Sequence, residues 1–188
     1  MDCTMNERVS QAAKVCLESD EKNPVRLFGI IAALDCIRIH GPEHHFIDGA
    51  CILTAFRNSG GEINLEEGLN WLYEQTVKMP GGMCGHWGVC GAVTGIGAAL
   101  SFIDKTGPLS GKDWGKHMKF TSDALSRLSK TGGPRCCKRD AYFAFSAAVQ
   151  YINENYDVTI PPEDIKCSFS RRNEQCLKKA CPFYEKDE

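Results

Sequence analysis

Apolar residues recur at three- and four-residue intervals along most of this chain, and glycine and proline cut the pattern into pieces of helical length. That spacing decides the fold class, because it lines one face of a helix but would scatter over both faces of a strand. Val9, Ala12, Ala13, Cys16 and Leu17 form the first stripe. After Pro24, "VRLFGIIAALDCIRI" reads as a buried helix ending near Gly41. Pro42 opens the next, which carries Phe46, Ala50, Leu53, Ala55 and Phe56 to a stop at Gly60 and Gly61. Asn64 caps a helix through Val77, with Leu65, Leu69, Leu72 and Tyr73 inward. A helix from Trp87 to Asp104 follows, then one from Ser110 or Asp113 to Gly132. The last opens at Pro134, with Ala141, Phe143, Phe145, Ala148 and Tyr151 apolar. No period-2 run bounded by hairpin turns interrupts the series. The expectation is an all-α, single-domain bundle of about seven helices over residues 1–160. Residues 161–188, short, polar and cysteine-bearing, are expected to fold back on that bundle.

Cysteine is the anomaly, with 11 in 188 residues. The start, "MDCTMNERVSQAAKVCLESDEKN", has no apolar core of a signal peptide, and no run reaches membrane-spanning length. A cytoplasmic location is therefore expected, where thiols stay reduced and serve metal or redox chemistry rather than stapling. A net charge of −2 gives no case for nucleic acid or an anionic membrane as partner.

The thiols divide by context. Cys16, Cys36 and Cys51 sit on apolar helix faces and read as small core hydrophobes. Seven others stand among glycines and prolines in loops or first turns: Cys84, Cys90, Cys136, Cys137, Cys167, Cys176 and Cys181. Cys90 and the Cys136–Cys137 pair fall at expected helix starts, where unpaired N–H groups and the positive helix end favour a thiolate and lower its pKa. Such ends suit an iron–sulfur cluster, which is anionic with its thiolates. Adjacent Cys136 and Cys137 would point about 100° apart on a helix, so one can serve a site while its neighbour acts separately. The tail spacing C-x8-C-x4-C-P matches no standard ferredoxin run. Zinc is the alternative there, its fourth ligand open between Cys136, Cys137, a histidine and none.

"IHGPEHHFIDGA" gathers His40, Glu43, His44 and His45 around a helix start, either as ligands and proton carriers or as polar capping of a solvated end. His86, between Cys84 and Cys90, is a further ligand or acid–base candidate.

Taken in order, "HGPEHH", "PGGMCGHWGVCGA", "GGPRCCKR" and "CSFSRRNEQCLKKACPF" resemble a family recorded as a domain of unknown function, found in methanogenic archaea and anaerobic bacteria. The Cys-Gly-Ala helix start is also similar to the redox-active GCAxxG cysteine family, with Cys-Gly in "VCGAVTG" where that family has Gly-Cys. The resemblance implies that histidine and cysteine motifs belong to one site. Relatives often carry a further cysteine-rich segment ahead of the domain, where this chain has only Cys3. The functional expectation is an iron–sulfur protein, of the four-iron type, performing sulfur transfer, desulfuration or thiol redox chemistry. Cys84, Cys90 and Cys136 or Cys137 would hold the cluster, with His86, His44, His45 and Glu43 as acid–base groups and Arg135 and Arg139 clamping an anionic substrate. The substrate would be a small or sulfur-containing molecule, or the partner a redox protein. The alternative is a non-catalytic metal protein, with structural zinc or an electron-carrying cluster, acting as a carrier or accessory subunit.

Overall fold

Four helices begin at a side-chain cap, three of them at a Thr or Asn that the sequence offers. Thr4 and Glu7 close a capping box at the head of α1 (Met5–Glu18). The Asn23 side chain accepts from the Val25 and Arg26 amides, and Pro24 takes the first position of α2 (Pro24–Ala33). Asn64 accepts from the Glu67 amide to start α4 (Leu65–Thr76). The remaining helices are α3 (Glu43–Asn58), α5 (Met83–His86), α6 (Gly91–Ile103), α7 (Lys116–Ser129) and α8 (Cys137–Asn155). The structure is a computed structural model that describes residues 3–185; residues 1–2 and 186–188, at the ends of the two expected segments, lie outside it. Among the described residues it is an all-α domain without strands, apart from one isolated bridge between Cys167 and Tyr184. No helix among them is long and apolar enough to cross a membrane.

Four boundaries differ from the expected ones. α2 stops at Ala33 rather than near Gly41, where Leu34 turns extended; beyond it the Cys36 carbonyl accepts from Arg8 and those of Arg38 and Ile39 from Lys138. The stretch from Trp87 does not enter α6, since Gly88 turns it through a positive φ of 71°. The one-turn α5 stands before it and raises the count to eight. α7 starts only at Lys116, after a 3-10 turn at Gly111–Asp113. α8 begins at Cys137, three residues after Pro134, with Cys136 as its N-cap. Leu17 lies at the edge of its stripe and is exposed, whereas Val9, Ala12 and Cys16 reach the core.

α3 runs through the middle, with α1, α2, α4, α6 and α8 packed around it. Every residue from Glu43 to Phe56 is buried, four of the first six being ionisable. A central helix normally excludes such groups, because desolvating a charge is costly unless it is paired. α6 approaches α3 through glycine: a Cβ on Gly49 would lie 2.6 Å from the Gly95 carbonyl, and one on Gly95 would collide with the His45 carbonyl. This close seam presses the start of α6 against the histidine end of α3. After α8 the chain folds back along it, tied by Asn23 Nδ2 donating to the Pro161 carbonyl at 2.8 Å. Phe183 packs edge-on against Tyr142 and Phe143 of α8, with ring centroids 5.4 and 4.8 Å apart.

Candidate functional site

Three long helices point their N-termini at one cavity of about 260 Å³. Gly41 and Pro42 bring the start of α3, Cys90 and Gly91 that of α6, and Cys137 that of α8. Each end carries unpaired N–H groups and partial positive charge, so their convergence makes a seat for negative charge. Three thiols line it: Cys84 from α5, Cys90 and Cys137.

The helix start at 136–137 sorts the remaining thiols. Cys136 is still extended, with φ −146° and ψ 105°, and Cys137 is the first helical residue, so the two side chains leave in different directions. Cys137 faces the cavity. Cys136 faces a second, much smaller space of about 20 Å³, which it lines together with Cys167, Cys176 and Cys181. The seven loop thiols thus fall into a group of three and a group of four. Among the described residues no three His, Cys, Asp or Glu side chains stand at ligand distances around a common point.

The inner wall of the cavity comes from one face of α3. His44 and Asp48 are four residues apart and His45 and Asp48 three, so all three side chains meet there. Asp48 is fully buried and neither carboxylate oxygen has a hydrogen-bond partner. Burial raises its carboxyl well above the usual range, and the nearby Asp140 adds to the effect against the pull of Lys138. The Lys138 ammonium donates to the carbonyls of Arg38 and Ile39, at 3.0 and 3.3 Å, and lies 2.9 Å from His44 Nε2. That nitrogen also lies 3.0 Å from the Arg38 carbonyl, and His44 Nδ1 is buried without a partner. Burial first, and then Lys138, hold the His44 imidazole down to about 3, so it is neutral. His45 is lowered as well, by burial, and its Nδ1 is buried without a partner. Unpartnered polar atoms are rare in a protein interior, and four of them belong to these three side chains.

Electrostatics inside the cavity differ from those expected of helix-end thiols. Burial pushes Cys137 up to about 12 against the pull of the Gly41 amide. Cys90 also rises well above its ordinary value, first through burial and then through Asp140, whose Oδ2 lies 3.9 Å from its sulfur. Here desolvation and two carboxylates outweigh the helix ends. A cation bound among these groups would reverse that balance by displacing the thiol protons.

The other expected residues stand as follows. Arg135 lines the cavity and is exposed at its mouth. Glu43 lies outside the lining, fully buried, where Arg38 holds it with Nη2–Oε2 at 2.6 Å and Nε–Oε1 at 2.9 Å. Arg139 points away toward the tail, bonded to Asp140 at 3.2 Å and to the carbonyls of Gly132 and Pro134. That role fixes the glycine turn before α8. His86 is exposed on α5, outside the cavity lining. Lys138 was readable with Arg135 and Arg139 as positive charge beside the Cys136–Cys137 pair, whereas Asp48 and Asp140 escaped the sequence reading. Their signal was a charged residue one helical turn from a candidate ligand, Asp48 after His44 and Asp140 after Cys136 and Cys137, inside otherwise apolar helices.

His40 joins the two thiol groups. Its Nδ1 accepts from the Cys137 amide at 3.4 Å, so Nε2 carries the proton and donates to Asn173 Oδ1 at 3.0 Å. Asn173 in turn donates Nδ2 to Cys136 Sγ at 3.4 Å.

No curated protein and no solved structure matches the chain. A family model does, over residues 12–184, a span that includes every thiol and histidine of both groups. On that match the chain belongs to a family of unknown function, DUF5714.

Proposed function

We propose that the chain is an iron–sulfur protein whose cavity holds a four-iron cluster on Cys84, Cys90 and Cys137 and acts on a small, sulfur-containing substrate by sulfur transfer, desulfuration or thiol redox chemistry. The single observation that carries this reading is the divergence of Cys136 and Cys137. It leaves three thiols, not four, facing a cavity where three helix N-termini meet unpartnered histidine and aspartate. The residues fit the group: thiolates are its ordinary ligands, helix ends balance its negative charge, and the space exceeds what thiols alone fill. With three cysteine ligands such a cluster supplies one iron open to a substrate or sulfide ligand. Asp48, whose carboxyl is raised well above its ordinary range by burial, stands beside that space as a group to hold a proton. His45 Nδ1 offers a second buried nitrogen to receive or orient a ligand, and Arg135 at the mouth meets an anionic group on the substrate. The Cys-Gly-Ala start of α6, with its similarity to the GCAxxG redox family, supports the same assignment.

Anaerobic purification tests it. Iron and acid-labile sulfide should copurify, be lost from Cys84→Ser, Cys90→Ser and Cys137→Ser, and be kept by Cys176→Ser. A small added thiol should alter the electron paramagnetic resonance of the reduced cluster, since one iron lacks a protein ligand. Protein free of iron and sulfide sinks the proposal, and a cluster indifferent to added thiol returns it to an electron carrier.

A further inference from the structure

We infer that Cys136, Cys167, Cys176 and Cys181 form a separate, closed site for one zinc ion that fastens the C-terminal segment to the start of α8. This site does not depend on what the cavity holds.

The four sulfurs come from both sides of a single small space: Cys136 from the cap of α8, the other three from the returning tail. Its volume of about 20 Å³ is on the scale of one water or one ion, and leaves no room for a four-iron cluster. Four thiols without an open position make a structural rather than catalytic centre, and tetrahedral all-sulfur ligation suits zinc.

The backbone around the thiols is arranged as for bound thiolates. In the tail each sulfur meets the amide two residues on: Cys167 that of Phe169, Cys176 that of Lys178 at 3.3 Å, Cys181 that of Phe183. Cys136 accepts from the Arg139 amide at 3.5 Å and from Asn173 Nδ2 at 3.4 Å. Three repeats of one local turn, plus a helix cap, thus aim N–H donors at all four sulfurs. Such donors hold and orient a metal-bound thiolate, whereas thiols that only fill space have no use for them.

The segment also needs a fastening. Among the described residues beyond Pro161 the only helices are 3-10 turns of three residues each, at Ser170–Arg172 and Lys178–Ala180, and the pairing is one isolated bridge. Among its described residues Phe169 is the one large apolar side chain buried in the core, with Ile165 and Phe183 half-buried. So little apolar burial does not order about two dozen residues, each costing on the order of 1–2 kcal/mol of backbone entropy. The sulfurs stand short of ligand distance around a common point. An ion would draw them inward, and a segment without sheet or long helix yields readily.

The test is zinc analysis of the full chain purified without chelator, with X-ray absorption at the zinc edge. We expect one zinc per chain, ligated by four sulfurs at about 2.3 Å. The Cys176→Ser/Cys181→Ser double variant should lose it, and Cys84→Ser/Cys90→Ser should retain it. Protein without zinc, zinc bound through nitrogen or oxygen, iron in its place, or zinc lost from the Cys84→Ser/Cys90→Ser protein would each overturn the assignment. The absorption measurement uses the native chain, so it decides the matter even where a double variant fails to fold. Iron and sulfide content, which reports on the cavity, is a separate readout.

Discussion

Arg38 takes both carboxylate oxygens of Glu43 at the head of α3, and Arg8 Nε stands 3.9 Å away on the other side. Burial alone would raise this carboxyl; the Arg38 hydrogen bonds and the backbone outweigh it and hold the group at about 2, below the ordinary 4.5. A folded-state pKa below the unfolded one stabilises the fold above pH 4.5, and the contribution fades as pH falls from 4.5 toward 2. Arg38 is partly exposed, so solvent screening trims its share. Arg38→Ala should therefore lower the urea midpoint at pH 7, with the gap narrowed at pH 3 and closing toward pH 2; an undiminished gap at pH 3 would show that Arg38 acts through packing. Glu43, His44 and His45 were readable as a polar cluster, but not which way each turns. Successive positions on a helix differ by about 100°, so His44 and His45 reach the cavity while Glu43 meets the arginines. The raised thiols were equally out of reach, because helix ends are visible in a sequence whereas desolvation and a carboxylate fifty residues distant are not.

At the scale of elements, the α3–α6 seam positions the site. A Cβ on Gly91 would land on the His45 ring, and one on Gly95 on the His45 carbonyl, so both glycines let the thiol-bearing end of α6 reach the histidine end of α3. Gly95→Ala must push the helices apart; we expect a loss of about 1–3 kcal/mol, read as a lower urea midpoint at unchanged slope. Gly29 in α2 is the control. A Cβ there meets nothing within 4 Å, so Gly29→Ala should raise stability by about 0.5–1 kcal/mol through helix propensity alone. Equal effects of the two substitutions would mean that the seam is looser than drawn. The small-residue face of α6 could be read from Gly95, Gly97, Ala98 and Ala99, and most helix bodies from their apolar period. Starts and stops were harder wherever the backbone turns inside an apolar run, as at Leu34 after α2 and at Gly88 before α6.

For the whole molecule the question is how a tail with little core of its own bears on a cavity built from three helices. Asn173 is the joint. It is buried, bonds Cys136 through Nδ2, and on Oδ1 receives both His40 Nε2 and the Gln175 amide. His40 then holds the Cys137 amide, the first of α8, so the ordered tail helps to fix the backbone that presents the third cavity thiol. Asn173→Ala removes the joint, including its N–H donor to Cys136, while replacing no thiol. Losing buried hydrogen bonds of this kind costs about 1–3 kcal/mol. The loss should be local, since α1 and α2 share no bond with Asn173. We expect faster amide exchange over 134–142 and 165–184 and unchanged exchange over 5–18, with the zinc retained through its four sulfurs. Faster exchange in the tail alone would show that the two thiol groups are neighbours without communication. Exchange raised in both segments would make tail order a condition for the geometry of the cavity.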